Sequence, residues 1–344
     1  MVVRGGSGVL EPGGDNALAI AFGVLGDEWN LWILGKALEG TRRYRDWAGS
    51  GEISNSVLTG RLARLVEVGL LEKVAIPPGS MRAEYLLTDC GRAVWPVLAT
   101  MWSWERRWAP DGRAGQLRMR HAACGAEFTP VMACAGCRRP AGFEDVVTSV
   151  GPSGGSRRSV PAASSRRRSG GTRRPSHLPH TMELLGNRWS VALLGAASFG
   201  AMRFGEFREW TGASSAIVAD RLRSFTDLGV LSERPVPGRA GRVTYHLTGK
   251  GRDFFPVVMH MIEWGQWWFR APEGSAVLAR HGSCSGSFSP RLVCGECAGL
   301  LQAREISIDS PQPSAEVDFD WLSGPGRAEV TVRGRSSDLD HTAN

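Results

Sequence analysis

The feature that most constrains this chain is an internal repeat. Residues 25–137 align with residues 185–297 at a constant offset of 160 positions, without an inserted or deleted residue. The matching positions include large and charged side chains, among them Trp29/Trp189, Arg43/Arg203, Arg61/Arg221, Tyr85/Tyr245, Pro96/Pro256 and Trp104/Trp264. Because each copy is long enough to close its own hydrophobic core, the 344 residues are expected to form two modules of one architecture.

The centre of each copy has the pattern of a helix followed by a hairpin. In the first copy, Ser54 is a natural N-cap for a helix over residues 55–67, where leucines recur at helical spacing. Gly69 then ends the helix. Two strand-like runs, residues 71–76 and 82–87, follow around a Pro-Pro-Gly turn, which predicts a hairpin.

Further helices are predicted on both sides of this unit. Apolar spacing predicts one helix over residues 15–38 and a short one from Arg43 to Trp47, and another helix is expected from Thr88 to about Trp108. The last is rich in tryptophan, which either packs on the other module or closes its own core. Short helix, capped helix and hairpin form a winged helix-turn-helix. The predicted fold class is mainly α with small β-hairpins (α+β), a tandem of such modules.

Several motifs resemble those of the HxlR-type winged-helix transcriptional regulators. They are Leu25-Gly26-x-x-Trp29, Gly40-x-x-Arg43-Tyr44, Ile53-Ser54-x-x-x-Leu58-x-x-Arg61-Leu62, Gly69-Leu70-Leu71 and Tyr85-x-Leu87-Thr88-x-x-Gly91-Arg92, and the second copy repeats them from Leu185-Gly186-x-x-Trp189 onward. The resemblance covers about residues 15–108 and 176–268. It implies a DNA-binding dimer with the capped helix in the major groove and the wing along the backbone. Asn16 and Ser176 stand where many family members carry a redox-sensing cysteine.

The candidate DNA contacts lie at the start of the capped helix and in the wing. Polar side chains there can hydrogen-bond base edges, and a helix N-terminus favours a phosphate. The candidates are Ser54, Asn55, Ser56, Thr59, Arg61 and Arg82 in the first copy, and Ser214, Ser215, Arg221, Arg239 and Arg242 in the second. For Arg61 and Arg221, a salt bridge within the module is an equal alternative to a phosphate contact.

The two copies differ at the surface that is expected to face DNA. Gly60 costs about 1 kcal/mol against alanine in a helix, so it either marks a close backbone approach or has no role. Its counterpart is Asp220, which a phosphate repels, and the second wing has two arginines where the first has Arg82. We therefore expect the first copy to depend more on its helix and the second more on its wing.

Each module is followed by the same pattern of one histidine and three cysteines. The pattern His-x-x-Cys-x9-Cys-x-x-Cys occurs as His121, Cys124, Cys134 and Cys137, and again as His281, Cys284, Cys294 and Cys297. Each set suits a structural zinc ion with four protein ligands and no open position. Two zinc ions, one in each copy's Cys/His ribbon, are the favoured interpretation. Free buried thiols in a metal-free ribbon and a thiol redox switch are the alternatives.

The net charge of +7 arises between the two copies. Residues 147–181 contain seven arginines and no acid, so the rest of the chain sums to zero. This segment is expected to be a disordered linker, with phosphate binding as the alternative. The predicted divisions are a disordered N-terminus 1–14, winged helix modules 15–110 and 176–270, ribbons 117–146 and 277–306, the linker 147–175 and a tail 307–344 with a strand at 329–332.

These features favour a transcriptional regulator. No apolar run reaches the roughly 20 residues of a membrane span, and no signal-peptide pattern is present, so a cytoplasmic location is expected. The sequence shows no catalytic constellation, so we do not expect an enzyme. The predicted function is sequence-specific binding of double-stranded DNA by an intrachain pseudo-dimer, with a homodimer as an alternative assembly. The alternative function is a protein-interaction or metal/redox sensor module that has reduced or lost DNA binding.

Overall fold

The helices and strands follow the same order in both repeats. The computed structural model describes residues 8–50, 53–77, 80, 82–109, 118–161, 178–239 and 241–309. In the first module, the elements are β1 (Gly8–Val9), α1 (Ala17–Leu25), α2 (Glu28–Leu38), α3 (Tyr44–Gly49), α4 (Asn55–Glu67), β2 (Leu71–Ala75), β3 (Ala83–Leu87), α5 (Asp89–Arg92) and α6 (Trp95–Trp108). The first ribbon contains β4 (Arg118–His121), β5 (Pro130–Cys134), a 3-10 turn (Phe143–Asp145) and β6 (Val146–Val150), and a short helix α7 (Ser156–Ser159) follows it.

The second half repeats the order of module helices, hairpin strands and ribbon strands, with an additional strand β9 after its last helix. Its module contains α8 (Pro179–Leu185), α9 (Arg188–Ser198), α10 (Phe204–Thr211), α11 (Ser215–Asp227), β7 (Leu231–Pro235), β8 (Val243–Leu247), α12 (Gly249–Arg252), α13 (Phe255–Trp268) and β9 (Phe269–Arg270). The second ribbon contains β10 (Val277–His281), β11 (Pro290–Cys294), a 3-10 turn (Ala303–Glu305) and β12 (Ile306–Asp309). The predicted α+β tandem of winged helix modules is confirmed.

The capped helix and its hairpin form as the sequence predicts. The Ser54 hydroxyl accepts a hydrogen bond from the backbone N–H of Val57, and the leucines of α4 at positions 58, 62 and 65 are fully buried. Strands β2 and β3 pair antiparallel, with Leu71 opposite Leu87. The Thr88 hydroxyl then joins the hairpin to the next helix, because it accepts from the N–H of Gly91 and donates to the carbonyl of Gly69.

The prediction of a single helix over residues 15–38 is wrong. Two helices, α1 and α2, meet there at an angle of 79°. The Asp27 carboxylate accepts a hydrogen bond from the N–H of Asn30 at 3.1 Å, so it starts a new helix within the apolar pattern. No single helix among the described residues is long and apolar enough to cross a membrane, and the α1–α2 pair meets that length and composition test only across this bend.

Two of the segments predicted to be disordered are partly ordered. Gly8–Val9 pairs parallel with Phe269–Arg270, and Val146–Val150 pairs antiparallel with Val277–His281. The side-chain amide of Asn16 donates to the carbonyl of Ser153 and to the hydroxyl of Ser159, so the start of the linker is fastened to the first module. The ribbon also extends to residue 309, beyond the predicted boundary at 306. Linker residues 162–175 and the predicted strand at 329–332 lie outside the described residues.

The two modules pack against each other through their tryptophan-rich helices. The indole N–H of Trp104 donates to the carbonyl of Lys250, and that of Trp264 donates to the carbonyl of Cys90, both at 3.0 Å. Cys90 and Lys250 occupy equivalent positions of the two copies, so the contact is reciprocal. These indoles therefore pack on the other module as well as on their own.

A second contact between the modules breaks this symmetry. The fully buried Glu105 carboxylate accepts hydrogen bonds from the N–H groups of His180 and Thr181 and from the Thr181 hydroxyl, at 2.6–2.9 Å. It thereby satisfies the first turn of α8. The equivalent position in α13 is Gly265, where a Cβ would lie 2.8 Å from the carbonyl oxygen of Ala17. Glycine at this position lets α13 and α1 pack closely.

The ribbons exchange strands between the repeats. Strand β4 pairs with β12, β5 with β11 and β6 with β10, all antiparallel. Every one of these pairs joins a strand of the first repeat to a strand of the second. The two Cys/His ribbons are therefore one interlocked unit, whereas the winged helix hairpins are each formed within one module.

Candidate DNA-binding surface and candidate metal centres

The exposed face of α4 carries the polar residues that the sequence singles out. Asn55, Ser56 and Thr59 are exposed. The Tyr44 hydroxyl lies 3.2 Å from the side-chain oxygen of Asn55 and 3.3 Å from the Thr59 hydroxyl. This tyrosine of α3 positions two candidate DNA contacts, a role that sequence reasoning missed although Tyr44 lies within a quoted motif.

The second copy lacks this arrangement. Phe204 replaces Tyr44, and Ala219 replaces Thr59, so neither hydroxyl is present. Ser214 still caps α11 by accepting from the N–H of Ile217, and Ser215 is exposed. The start of α11 is therefore available to a phosphate, but it offers fewer side-chain groups to base edges than α4 does.

Arg61 forms a salt bridge within its own module. Its guanidinium makes a forked contact with Asp27, with Nε 3.0 Å from Oδ1 and Nη2 2.7 Å from Oδ2. Such bidentate pairs fix orientation as well as charge. Of the two alternatives for Arg61, the structure has the salt bridge, which ties α4 to the start of α2. In the second copy Asn187 replaces Asp27, and Arg221 pairs instead with the adjacent Asp220.

The wings present arginines that are available to a ligand. Arg82, Arg239 and Arg242 are exposed, and none of them forms an ion pair with another residue in the described part of the chain. Gly238 and Gly241 have φ angles of 71° and 72°, which lie in the left-handed region in which glycine is favoured. A tight turn therefore carries the two arginines of the second wing. The first wing offers one arginine and the second offers two.

The cysteines and histidines gather into two clusters, but not as predicted. One contains His121, Cys124, Cys294 and Cys297, and the other contains Cys134, Cys137, His281 and Cys284. The expectation of one complete site within each copy is wrong. Each cluster takes its His-x-x-Cys pair from one repeat and its Cys-x-x-Cys pair from the other. This exchange follows from the antiparallel pairing of β5 with β11, which places each Cys-x-x-Cys pair beside the opposite repeat.

The clusters have the dimensions of a tetrahedral metal site. In the first, His121 Nδ1 lies 3.4 Å from the sulfurs of Cys124 and Cys297, and Cys124 Sγ lies 3.9 Å from Cys294 Sγ. In the second, His281 Nδ1 lies 3.2 and 3.4 Å from two sulfurs. Tetrahedral zinc with bonds of about 2.3 Å to sulfur and about 2.0 Å to nitrogen requires ligand separations of about 3.5–3.8 Å. The donor atoms therefore fit this ion.

The surroundings of the clusters suit metal ligands only in part. The Glu305 carboxylate lies 3.9 Å from Nε2 of His121, which is too long for a hydrogen bond. Among the described residues Nε2 is buried without a hydrogen-bond partner, so the ring lacks the hydrogen-bonded carboxylate that commonly orients a ligating imidazole.

The backbone N–H of Arg139 is the largest influence that lowers the pKa of Cys137 to about 7, which favours its thiolate form. In the same cluster the backbone N–H of Gly286 lowers the pKa of Cys284, but burial and the neighbouring Cys137 thiol outweigh it and raise that pKa. Burial raises the pKa of the unmatched Cys90 to about 12, so this thiol is inert.

Comparison with known proteins identifies the family. The sequence profile described as HxlR-like helix-turn-helix matches residues 24–113 and again residues 184–273. This chain belongs to the HxlR-like helix-turn-helix family. As a member of it, the chain is a helix-turn-helix transcriptional regulator built from two copies of the family's module.

Relatives of this HxlR-like protein are about one copy long. The uncharacterized HTH-type transcriptional regulator MT3179 of Mycobacterium tuberculosis is 33% identical over 132 residues, which is 38% of this chain and 82% of the relative. YvaP of Bacillus subtilis, also named an uncharacterized HTH-type transcriptional regulator, is 33% identical over 26% of this chain and 82% of its own length. The crystal structure of PA1607, a candidate transcription factor, is 29% identical, covering 39% of this chain and 92% of its own, with a TM-score of 0.34.

Proposed function

We propose that this HxlR-like protein is a sequence-specific DNA-binding regulator in which the two modules of one chain act as a pseudo-dimer. The observation that carries the proposal is the reciprocal contact of Trp104 and Trp264 with the opposite module. A symmetric homodimer makes each interface contact twice with identical residues. Here both halves of such a contact lie in one chain, which supports two winged helices held in a fixed relation without a second chain.

The two modules would read DNA differently. Module 1 would place the start of α4 against base edges, with Ser56 and with the Asn55 and Thr59 side chains that Tyr44 holds, while Arg82 contacts the backbone. Module 2 would rely on the phosphate affinity of its wing arginines, Arg239 and Arg242, and on the capped start of α11. Because the halves differ, the preferred site would be an imperfect palindrome.

We also propose that the two Cys/His clusters hold structural zinc ions. His121, Cys124, Cys294 and Cys297 would hold one ion, and Cys134, Cys137, His281 and Cys284 the other. When bound, each ion supplies crosslinking rather than catalysis, because four protein ligands leave no open position. Since each set draws on both repeats, metal binding would stabilise the pairing of the repeats as well as the ribbon fold.

The test is DNA binding measured against salt. The full chain is titrated with the DNA upstream of its own gene and with a scrambled duplex of equal length, at several salt concentrations. We expect preference for the upstream DNA and a linear fall of log affinity with log salt, whose slope counts the phosphate contacts. Equal, weak binding to both duplexes would refute sequence-specific regulation and favour the protein-interaction alternative.

Arginine variants separate the contributions of the two wings. We compare Arg82→Ala with the double variant Arg239→Ala plus Arg242→Ala. The control is Arg270→Ala in β9, an exposed arginine that forms no ion pair within the described residues and lies outside both wings. The wing variants should lower the salt slope by about one phosphate contact for each arginine removed. The double variant should lose more affinity than Arg82→Ala. Equal losses would refute the division of roles, and a loss in the control would show that net charge alone is measured.

A further inference from the structure

An apolar pocket lies where the first module meets the interlocked ribbons. Its interior volume is about 50 Å³ and it is open to solvent on one side, so it has room for one small ring inserted edge-first rather than for a larger molecule. Helices α2 and α6 form one wall, and the paired strands β4 and β12 with the 3-10 turn before β12 form the other. The lining residues used below are Gly35, Glu39, Trp95, Trp102, Ala303 and Ile306. The pocket therefore contains side chains from both repeats.

The repeat shows what is missing from this pocket. In the second half of the pseudo-dimer, the equivalent of Ala303 is Phe143, and each is the first residue of a 3-10 turn. The Phe143 ring packs edge-on against Phe255, with ring centroids 5.4 Å apart and planes at 86°. Phe255 is consequently buried, whereas its counterpart Trp95 is partly exposed and lines the pocket. The pocket thus corresponds to the space of one aromatic ring that the first half lacks.

We propose that this pocket binds a small, planar, uncharged aromatic molecule with a single ring. Indole faces of Trp95 and Trp102 are suited to edge-to-face or offset contacts with such a ring. Glu39 is the charged residue in the lining, and its carboxylate already pairs with the Lys36 ammonium at 2.6 Å. No lining group is therefore left to compensate a charged ligand, and burying an unpaired charge is costly.

The position of the pocket couples it to DNA binding, an extension that rests on the proposed function. Helix α2 lines the pocket near its C-terminus with Gly35 and Glu39, and its N-terminus carries the Asp27 carboxylate that grips Arg61 of α4. A ligand that contacts both α2 and the second ribbon can favour one position of α4 over another. If the ligand binds more tightly when α4 is in one position, then its binding will change the affinity of the protein for DNA.

The binding test uses the repeat itself as its control. Phenol and benzamide are titrated calorimetrically into the full chain without DNA, and benzoate serves as the charged comparison. We expect one site per chain for the neutral probes and none for benzoate. Ala303→Phe installs the residue of the equivalent position and should weaken probe binding by at least about tenfold, since the ring would fill the site. Phe143→Ala should open the corresponding space and add a second, weaker site, because Phe255 and Ile262 stand there in place of Trp95 and Trp102.

Each variant gives a decisive result even if the other fails to fold. Undiminished probe binding by folded Ala303→Phe, or one site in folded Phe143→Ala, would overturn it. So would binding that emerges only after residues 310–344 are deleted, because the chain itself would then occupy the pocket. The calorimetry needs no DNA, so failure of the proposed DNA function leaves this result readable. A DNA affinity that is unchanged by saturating probe would overturn the coupling.

Discussion

Replacing Gly60 by alanine should raise stability and weaken DNA binding at the same time. Gly60 lies in the middle of α4 on its exposed face, and a Cβ at this position would meet no atom of the chain within 4 Å. Alanine is about 1 kcal/mol more favourable than glycine inside a helix. Since nothing opposes the added methyl group, we expect unfolding to become harder by about 1 kcal/mol.

The loss of DNA affinity follows from the same exposed position. If α4 enters the major groove, its exposed face meets DNA where Gly60 allows the closest backbone approach. A methyl group forced into a packed interface costs about 1–3 kcal/mol. That range corresponds to a loss of affinity of about 5- to 150-fold.

Two assays and a control test this reasoning. Denaturant unfolding gives the stability, and a fluorescence titration with operator DNA gives the affinity. The control is Gly195→Ala in α9, a helical glycine that also has open space around it and lies outside the candidate DNA surface. It should stabilise without affecting DNA. If Gly60→Ala is stabilised but binds DNA with unchanged affinity, the placement of α4 in the major groove is refuted. If the variant is not stabilised, then the chain does not leave free space for a methyl group at position 60.

Three further predictions concern stability and metal. Burial lowers the pKa of His260 to about 4, so between about pH 6.5 and 4 the unfolded chain binds a proton that the native state does not. The free energy of unfolding should therefore decrease as the pH is lowered through this range, by up to about 1.4 kcal/mol per pH unit. His260→Thr should flatten this slope, and identical slopes for variant and wild type in denaturant titrations would contradict the prediction. Glu105→Gln should cost about 2–4 kcal/mol in the same assay, because an amide N–H2 would then face the buried donors of α8; a change below about 0.5 kcal/mol would rule out the cap. In the zinc-loaded protein, Cys294→Ser should shift the ¹⁵N resonance of His121 Nδ1 and leave the other cluster's histidine unmoved, whereas the reverse pattern would show that the clusters are not crossed.

The parts of the fold that the sequence predicts well are those set by neighbours along the chain. A cap at Ser54 and leucines at helical spacing define α4, and a Pro-Gly turn between two β-like runs defines the wing. The helix boundary at Asp27 was missed because the apolar pattern continues through it, although Asp is a common N-cap. Apolar periodicity alone does not distinguish one helix from two, whereas the N-cap at Asp27 does.

The site residues were harder to place because their partners are distant. Whether Arg61 met phosphate or carboxylate depended on Asp27, which is 34 residues away and comes near only through the packing of α2 on α4. The spacing of the cysteines and histidines does not show that each metal cluster draws ligands from both repeats. His-x-x-Cys and Cys-x-x-Cys define two ligand pairs, but both copies have identical spacing, so either pair fits either partner. Only the exchange of strands decides between them.

The exchanged strands have a consequence for how the protein is made. Strands β4 and β5 emerge from the ribosome early, but their partners β12 and β11 follow only after more than 150 further residues have been translated. Domains generally fold as units, the N-terminal one first, at about 5–20 residues per second. The first winged helix can therefore fold while the chain is growing, whereas its ribbon waits on the order of ten seconds for its other half. During that interval a second nascent chain on the same messenger could supply the missing strands, and the linker between the repeats favours the correct partner by keeping it on the same molecule.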